Sequence, residues 1–266
     1  MKLQKGRRAL VTGASSGIGL AFAEALAARG LDLVLVARSA DKLHDLATRL
    51  VRDHHVQVEV LVFDLGQPGA PRKVFDGVRN RGWNIDLLVN NAGFGKWGEF
   101  LDFDEATYSS MVQLNVSALV ELCRLFLPGL LQNHGLGIIN VGSTASLIPV
   151  PYAGVYSATK AFVLSFTESL YGEYASKGLH FLTLCPSGTA TGFAEVANPE
   201  VARKRGSFGA APALVVADAL SAFERGKTYV VSTRDNYFST AILPRWLTRK
   251  TVIGIVGNVF RKVAGK

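Results

Sequence analysis

A tyrosine and a lysine four residues apart, Tyr156 and Lys160, are the residues whose types and spacing point most directly to chemistry. Residues four apart on a helix share one face, so the phenol and the ammonium point into one site. A neighbouring cation favours the phenolate form of tyrosine, whose unperturbed pKa is about 10. The pair therefore predicts a general acid or base that works near neutral pH. Tyr152 precedes Tyr156 by four residues, but only Tyr156 stands four before a lysine.

A glycine-rich segment, Thr12–Gly19, lies between an apolar run and a helix-like run near the N-terminus. Its glycines have the spacing G-x-x-x-G-x-G, at Gly13, Gly17 and Gly19. Glycines permit a tight turn and a close approach to a pyrophosphate, and the N-terminus of the following helix stabilises the phosphate charge. In this place within a βαβ unit, the segment predicts a dinucleotide site.

The end of the second predicted strand indicates which dinucleotide is bound. Enzymes that use NAD usually have an acidic residue here, which bonds the ribose 2′-hydroxyl, and this sequence has none. Arg38 instead offers a guanidinium suited to a 2′-phosphate, with Lys42 and Ser15 as helpers. The sequence therefore predicts NADP(H), with NAD(H) as the alternative.

The elements that must position these residues alternate between short apolar runs and longer helix-like runs, as in repeated βα units. Strands that are almost continuously apolar, such as Leu33–Val36, indicate burial on both faces of a sheet. We predict an α/β, Rossmann-type, doubly wound fold with a seven-stranded parallel sheet and helices on both faces. The predicted strands are Ala9–Thr12, Asp32–Ala37, Val56–Phe63, Ile85–Val89, Gly137–Val141, Leu179–Leu184 and Thr228–Val231, and the predicted helices are Ile18–Ala28, Ala40–Arg52, Pro71–Arg79, Glu105–His134, Tyr156–Ser176 and Pro212–Arg225.

Taken together, these motifs resemble the short-chain dehydrogenase/reductase family in its compact single-domain form. The resemblance extends from Arg7 to Val231. The residues that carry it, in chain order, are Thr12-Gly13-x-x-x-Gly17-x-Gly19, Asp64, Asn90-Asn91-Ala92-Gly93, Asn115, Ser143, Tyr156 and Lys160.

The resemblance implies a catalytic set of four residues. Tyr156 would exchange a proton with the substrate oxygen, while Lys160 would lower the tyrosine pKa and hold the nicotinamide ribose. Ser143 would position and polarise the carbonyl. Asn115 would hold a water that connects Lys160 to solvent. No metal is expected.

The resemblance also implies the cofactor contacts. Asp64 would meet the adenine, and Asn90 with Gly93 would border the adenosine ribose. After the sixth strand the family carries Pro-Gly and then a threonine for the nicotinamide amide. Here Ser187 takes the place of that glycine, and Thr191 fits the threonine best by spacing, with Thr189 a close second. The expected cofactor-binding set is Gly13, Ser15, Ser16, Gly17, Ile18, Gly19, Arg38, Asp64, Asn90, Ala92, Gly93, Tyr156, Lys160, Pro186, Thr189 and Thr191.

The segment Ala190–Ala211 is expected to be a mobile insertion beyond the carboxyl ends of the strands, which makes it a lid candidate. Residues expected near the substrate are apolar and favour a hydrophobic carbonyl or alcohol. Self-packing of these loops is an equally weighted alternative. The residues are Phe94, Leu147, Ile148, Val150, Phe193 and Val196.

We divide the chain into a single dinucleotide-binding and catalytic domain, residues 1–244, and a basic amphipathic C-terminal segment, residues 245–266, predicted to be helical. Three roles stay open for this segment: packing on its own domain, packing on another subunit, or lying on an anionic membrane surface. A homo-oligomer, dimer or tetramer, is expected.

Composition limits the remaining function classes. The chain has 266 residues, of which 48% are hydrophobic, and a net charge of +8 with much of the excess at its ends. Because no aromatic-interleaved basic run accompanies this charge, it favours a basic surface that attracts an anionic cofactor over a nucleic-acid site.

Cys123 and Cys185 lie in apolar runs and are expected to be inert core thiols. The N-terminus leads directly into the first strand, and a cytoplasmic location is expected. The functional alternatives are an inactive NADP(H)-binding sensor and a membrane-associated, lipid-modifying reductase.

Overall fold

The computed structural model describes residues 2–205, 209–232 and 237–263. As predicted, its seven strands form one parallel sheet; their order is β3-β2-β1-β4-β5-β6-β7. The strands are β1 (Arg8–Thr12), β2 (Asp32–Ala37), β3 (Val58–Val62), β4 (Leu87–Asn90), β5 (Gly137–Val141), β6 (His180–Cys185) and β7 (Tyr229–Val231).

Helices connect the strands and cover both faces of the sheet. They are α1 (Gly17–Ala27), α2 (Ala40–His54), α3 (Ala70–Arg79), α4 (Glu105–Val112), α5 (Ala118–Gln132), α6 (Gly154–Tyr174), α7 (Phe193–Ala197), α8 (Pro199–Arg205), α9 (Pro212–Glu224) and α10 (Arg249–Val263). A π-helical turn, Gln113–Ser117, joins α4 to α5, and a second one, Phe238–Ile242, precedes α10.

Each central strand contributes to two cores, because successive side chains of a strand point to opposite faces. Leu33 and Leu35 of β2 pack with α1, α2 and α9, whereas Val34 and Val36 pack with α3, α5 and α6. All four side chains are fully buried. The continuous apolar run is therefore explained by helices on both faces.

The order of the strands reverses between β1 and β4, which pair side by side. In such a sheet, the crevice that binds ligands lies at the carboxyl ends of the two strands where the order reverses. These ends are Thr12 and Asn90, so the topology brings the glycine-rich segment and the Asn90–Gly93 turn to opposite sides of one crevice.

The segment from Ala190 to Ala211, expected to be a mobile insertion, contains regular structure in its described part. It contains α7 and α8, and a short parallel bridge joins Thr189 to Ala210 at its base. Gly192 is the N-cap residue of α7 and Pro199 is the first residue of α8, where proline suits the first turn of a helix.

The predicted helix Glu105–His134 is divided by the π-turn into α4 and α5. By length and composition, Glu105–Gln132 is apolar enough to cross a membrane. The apolar residues of α5, such as Leu122 and Phe126, lie in the core beside the sheet, and this packing explains their hydrophobicity.

Candidate active site

The glycine loop (Gly13–Gly19) runs from the end of β1 into α1. Gly13 and Gly17 have positive φ angles, of 64° and 56°, which favour glycine. A Cβ atom on Gly19 would overlap the carbonyl oxygen of Gly13. Ser16 is the N-cap residue of α1, and its side chain makes no capping hydrogen bond. The loop therefore presents backbone and a hydroxyl at a helix N-terminus, an arrangement suited to an anion.

Asn91 fastens the glycine loop to the end of β4. Its Nδ2 donates to the carbonyl oxygens of Thr12 and Gly13 at 2.9 and 3.3 Å. The hydroxyl of Thr12 accepts from the backbone N–H groups of Asn91 and Ala92 at 2.9 and 3.0 Å. The predicted set omitted Asn91, although its place in the Asn-Asn doublet was the available signal.

Arg38 and Lys42 lie exposed at the carboxyl end of β2 and at the start of α2. Neither forms a hydrogen bond or an ion pair with another residue in the described ranges. The backbone N–H of Ala14 donates to Val36 O at 3.3 Å, so the glycine loop, with Ser15, lies next to this strand end. The clustering of these side chains around a 2′-phosphate stays a prediction.

Asp64 follows β3, and its Oδ1 accepts a hydrogen bond from the backbone N–H of Gly66 at 3.0 Å. This bond shapes the turn at the adenine end of the predicted crevice. Ile18 packs on the core from the first turn of α1, so its backbone is the part that faces the crevice.

The side chain of Asn90 lies away from the crevice, so its expected place beside the adenosine ribose rests on its backbone. Its Nδ2 donates to Asn140 Oδ1 at 2.9 Å and to Cys123 Sγ at 3.3 Å beneath the sheet, and the residue is buried. Leu87 and Val89 face the α1 side, and alternation therefore turns Asn90 toward α5 and α6. Only the backbone of Asn90 can border a ligand in the crevice.

Tyr156 and Lys160 lie in α6, beside the end of β5. The ammonium of Lys160 donates to Val141 O at 2.8 Å and lies 5.9 Å from the centroid of the Tyr156 ring. Burial lowers the pKa of Lys160 to about 8. Burial also raises the pKa of Tyr156 to about 12, and a hydrogen bond with Ser143 opposes this rise. Burial is the largest cause of the raised tyrosine pKa in this structure, and Lys160 is not among its causes, so the lowering expected from Lys160 stays a prediction.

Ser143 begins a 3₁₀ turn, Thr144–Ser146, at the end of β5. Its hydroxyl accepts from the backbone N–H of Ala145, and its own N–H donates to the Ser146 hydroxyl, both at 3.1 Å. The turn is held to the end of β6 because Thr144 N donates to Pro186 O at 2.9 Å. The serine hydroxyl is thus fixed close to Tyr156.

Asn115 lies in the π-turn between α4 and α5 and is buried. Its Oδ1 accepts from Phe94 N at 3.1 Å, and its Nδ2 donates to Phe94 O at 2.9 Å and to Thr159 Oγ1 at 3.1 Å. Its Oδ1 and the ammonium of Lys160 lie 2.9 and 3.5 Å from the point that a Cβ on Gly93 would occupy. The structure thus brings Asn115 and Lys160 together around Gly93.

Two threonines after β6 were candidates for the nicotinamide contact. Thr189 Oγ1 donates to Ser187 O at 3.0 Å, within its own turn. Thr191 instead lies against the glycine loop, with its Cγ2 3.0 Å from the point that a Cβ on Gly17 would occupy. Of the two, Thr191 is the residue that the fold places at the crevice.

The lid (residues 190–205) packs directly over Tyr156. The ring of Phe193 lies 5.5 Å from that of Tyr156 and 6.2 Å from that of Trp97. The lid also lines a cavity of about 600 Å³, with Thr191, Glu195 and Arg203 among its walls. This volume is in the range of small-molecule pockets.

Three hydrogen bonds hold the lid to the loop after β4. Lys96 Nζ donates to Val196 O at 2.8 Å, Trp97 N to Ala197 O at 3.1 Å, and Asn198 Nδ2 to Trp97 O at 3.1 Å. We did not anticipate Lys96 or Trp97, because nothing local in the sequence pairs them with residues a hundred positions away.

The expected apolar wall is only partly present at Tyr156. Val150 is buried and Ile148 half-buried in one small cluster with Tyr156, which Val256 and Phe260 of α10 complete. Val196, by contrast, is 50% exposed. Leu147 lines a separate cavity beneath α10, and Phe94 is half-buried beside Asn115.

Several other predicted features can be located. Tyr152 Oη accepts a hydrogen bond from Arg261 Nε at 3.1 Å, so this tyrosine is tied to α10. Cys123 and Cys185 are free and buried, and burial raises the pKa of each thiol to about 12. The described residues contain no cluster of three or more His, Cys, Asp or Glu side chains arranged to hold a metal.

Residues 7–202 match the family model described as short chain dehydrogenase. The chain belongs to the short-chain dehydrogenase/reductase family. It is 32% identical over 254 residues to the very-long-chain 3-oxoacyl-CoA reductase of Rattus norvegicus, covering 94% of this chain and 79% of the relative. It is 33% identical over 202 residues to the 17-beta-hydroxysteroid dehydrogenase type 3 of Danio rerio, covering 74% and 65%.

Among solved structures, the chain is similar to a short-chain dehydrogenase from Sphingobium yanoikuyae in complex with NADPH. The TM-score is 0.80, the identity 32%, and the coverage 90% of each chain. The present protein is thus an NAD(P)-dependent oxidoreductase of this family. The glycine loop fits the dinucleotide that the family uses, because it leaves backbone rather than side chains at the N-terminus of α1.

Proposed function

We propose that the protein is an NADP(H)-dependent oxidoreductase that interconverts a carbonyl and an alcohol on a hydrophobic small molecule. The observation that carries the proposal is the meeting of Ser143, Tyr156 and Lys160 at the end of β5, beneath an apolar lid. These are the groups that a carbonyl reduction needs: two donors for the substrate oxygen, and a cation behind the acid.

The choice of NADP(H) is supported by the two cations at the end of β2. Arg38 and Lys42 are exposed and without partners among the described residues, and a 2′-phosphate would supply the anion that pairs with them. The two residues directly after β2, Arg38 and Ser39, offer no carboxylate to accept a bond from a 2′-hydroxyl. The solved relative from Sphingobium yanoikuyae is an NADPH complex, which agrees with this choice.

When bound, the dinucleotide supplies or accepts the hydride at its nicotinamide. In the reductive direction, the hydroxyls of Ser143 and Tyr156 donate hydrogen bonds to the substrate oxygen. Tyr156 then transfers its proton to that oxygen as negative charge develops on it. The ammonium of Lys160 favours the resulting phenolate, since an opposite charge nearby stabilises the charged form. Asn115 and Lys160 lie close together around Gly93, which supports replacement of the proton through them.

The lid supports a hydrophobic substrate. Phe193 and Trp97 form an apolar surface above Tyr156, and Ile148 and Val150 pack beside it. Burying such surface stabilises a bound apolar group by about 25 cal/mol per Å². The two curated relatives are named for a very-long-chain acyl substrate and a steroid, so a large apolar carbonyl compound is our preferred substrate class.

A membrane-associated, lipid-modifying reductase is the second candidate, favoured by one observation. Trp246 and Phe238, which precede α10, are 84% and 60% exposed, and exposed aromatic side chains are typical of an interfacial anchor. Co-sedimentation with phosphatidylglycerol vesicles tests this candidate, with Trp246→Ala as the variant expected to bind less. Sedimentation equal to that with no vesicles would contradict it.

A cytoplasmic location and a homo-oligomeric state remain predictions. Cell fractionation would check the location, and light scattering would check the oligomeric state.

The test of the proposed function is a screen of hydrophobic ketones with NADPH, comparing the wild type with Tyr156→Phe. We expect turnover by the wild type and a loss of about 10²- to 10⁴-fold in kcat for the variant, because the proton donor is removed. NADPH affinity, followed by cofactor fluorescence, should change far less than kcat, because the glycine loop and Arg38 are unaltered. Tight NADPH binding with no turnover of any ketone or alcohol would instead indicate an inactive sensor.

A further inference from the structure

A second, smaller cavity lies between the catalytic domain and the C-terminal segment, with a volume of about 190 Å³. One wall is apolar and comes from Leu147 and Ile148, which follow the Ser143 turn. The opposite wall comes from the residues just before and at the start of α10, including Arg245, Arg249 and Val252. The cavity is too small for a whole cofactor or drug-sized ligand, whose pockets are about 300–1,000 Å³, but it suits one end of a ligand.

The charges around this cavity are all of one sign. Arg245 and Arg249 both line it, and no carboxylate is among its described lining residues. Neither arginine side chain forms a hydrogen bond or an ion pair with a residue of the described chain, although Arg245 acts electrostatically on Tyr229. Both residues are exposed to solvent, so their guanidinium groups are accessible to an anion that enters the cavity.

The start of α10 adds to this positive field. Arg249 is the first residue of a 15-residue helix whose first turn contains no acidic side chain. A helix N-terminus carries a partial positive charge, so an arginine there is unfavourable by itself and an anion is stabilised. The positive end of the helix therefore lies at the same cavity as the two guanidinium groups.

The cavity and the catalytic residues share a wall. Ile148 lines the cavity and also belongs to the small apolar cluster that includes Tyr156 and Val256. The 3₁₀ turn that begins at Ser143 ends one residue before Leu147, which lines the cavity. An elongated substrate with its carbonyl at Tyr156 can therefore run along this wall toward α10.

We infer that Arg245 and Arg249 form a binding site for an anionic end group, a carboxylate or a phosphate, of an elongated apolar substrate whose carbonyl is held at Tyr156. Arginine is suited to both anions because its planar fork makes two parallel hydrogen bonds to them. This inference rests on the proposed function, since it names the far end of the substrate of that same site.

The test uses full-length protein saturated with NADP⁺ and three eight-carbon probes below their micelle concentrations: octanoate, octyl phosphate and 1-octanol. Calorimetric titration should show at least one of the two anions binding about tenfold tighter than the alcohol. The double variant Arg245→Gln/Arg249→Gln should lose this preference and bind 1-octanol as before. Lys250→Gln is the matched control, because Lys250 is an exposed cation of the same helix outside the cavity lining.

The two anionic probes separate the two sources of charge, since a preference for one of them identifies the end group. If the double variant keeps the wild-type preference, or if Lys250→Gln loses it equally, the inference is wrong. Equal binding of all three probes to the wild type also contradicts it, and that is the result expected if these arginines contact only a lipid surface. A urea unfolding curve of the double variant shows whether its fold is intact.

Reduction of the neutral ketone 2-octanone distinguishes a failure here from failure of the proposed function. Suppose that the wild type and the double variant reduce 2-octanone equally, while the probes show no preference that depends on the arginines. The inference of an anion site is then wrong, and the proposed function still stands. If no ketone is reduced at all, the proposed function fails, and the probe titrations still decide whether the cavity binds anions.

Discussion

The two sides of the crevice are built in different ways. On the dinucleotide side, the glycine loop takes its shape from positive φ angles and from the close backbone approach of Gly19 to Gly13, and Asn91 ties it to the end of β4. On the substrate side, the lid is held over Tyr156 by side chains that are far apart in the sequence, such as Lys96 and Asn198. The first side tolerates almost no added atoms, whereas the second depends on contacts that are individually weak. Substitutions should therefore have large effects on cofactor binding and smaller, graded effects on substrate binding.

The largest effect is expected for Gly19→Ala. Its Cβ would overlap the carbonyl oxygen of Gly13, and neither backbone segment can move without deforming the loop. We expect NADPH binding to weaken about a hundredfold or more, since strain of this kind costs about 1–3 kcal/mol or more. Gly172→Ala is the control, because nothing lies within 4 Å of the position its Cβ would take in α6. Equal NADPH dissociation constants for the two variants would contradict the role given to the loop.

A somewhat smaller effect is expected for Arg38→Asp. The variant loses a charged partner of the 2′-phosphate and gains a carboxylate suited to a 2′-hydroxyl. NADPH binding should weaken about tenfold to a hundredfold, since such bonds contribute about 1.5–3 kcal/mol, while NADH binding should improve. Fluorescence titration with both cofactors provides the measurement. An unchanged preference would mean that Arg38 does not select the cofactor.

The third prediction concerns the buried cation between the two sides. Burial lowers the pKa of Lys160 to about 8 in the folded protein. In the unfolded chain the pKa of this lysine is about 10.4. Between these two pH values, the unfolded chain therefore binds more protons than the folded one. The stability contributed through this group should therefore rise with pH across that window, by up to about tenfold per pH unit in the unfolding constant.

Removing the titrating group isolates that contribution. Urea unfolding of Lys160→Met at pH 8, 9 and 10 should give a smaller increase in stability with pH than the wild type shows. Tyr156, whose raised pKa makes stability fall with pH above about 10, is common to both proteins and cancels in the difference. Parallel curves for the two proteins would show that Lys160 does not titrate in this range.

The smallest effect is expected for Phe193→Ala, at the lid. The variant loses two aromatic contacts, with Tyr156 and Trp97, each of about 0.5–1.5 kcal/mol. We expect KM for a hydrophobic ketone to rise about threefold to tenfold, with the NADPH dissociation constant unchanged. Phe100→Ala is the control, since Phe100 is 68% exposed and stacks on Tyr108 instead. A larger effect on NADPH than on the ketone would mean that the lid serves the cofactor side.

The same contrast explains what could be predicted from the sequence. The strands, the glycine loop and the Tyr156–Lys160 pair follow from local patterns, and the sheet places them as expected. The direction of the Asn90 side chain could not be predicted, because β4 is buried on both faces and no alternation of polar and apolar residues marks it. The lid contacts and the cavity at Arg245 depend on chain segments about a hundred residues apart, which no local pattern connects.

The π-turn at Asn115 sets the rotational phase of the helix on either side of it. In this turn the backbone N–H of Ala118 donates to Gln113 O, five residues earlier, so the turn holds one residue more than an α-helix would. Deleting one residue from the turn would restore regular geometry and rotate α4 by about 100° relative to α5. Either Asn115 or the apolar face of α5 would then leave its partners. The length of this helix is consequently constrained by both catalysis and packing, although its sequence looks like that of an ordinary helix.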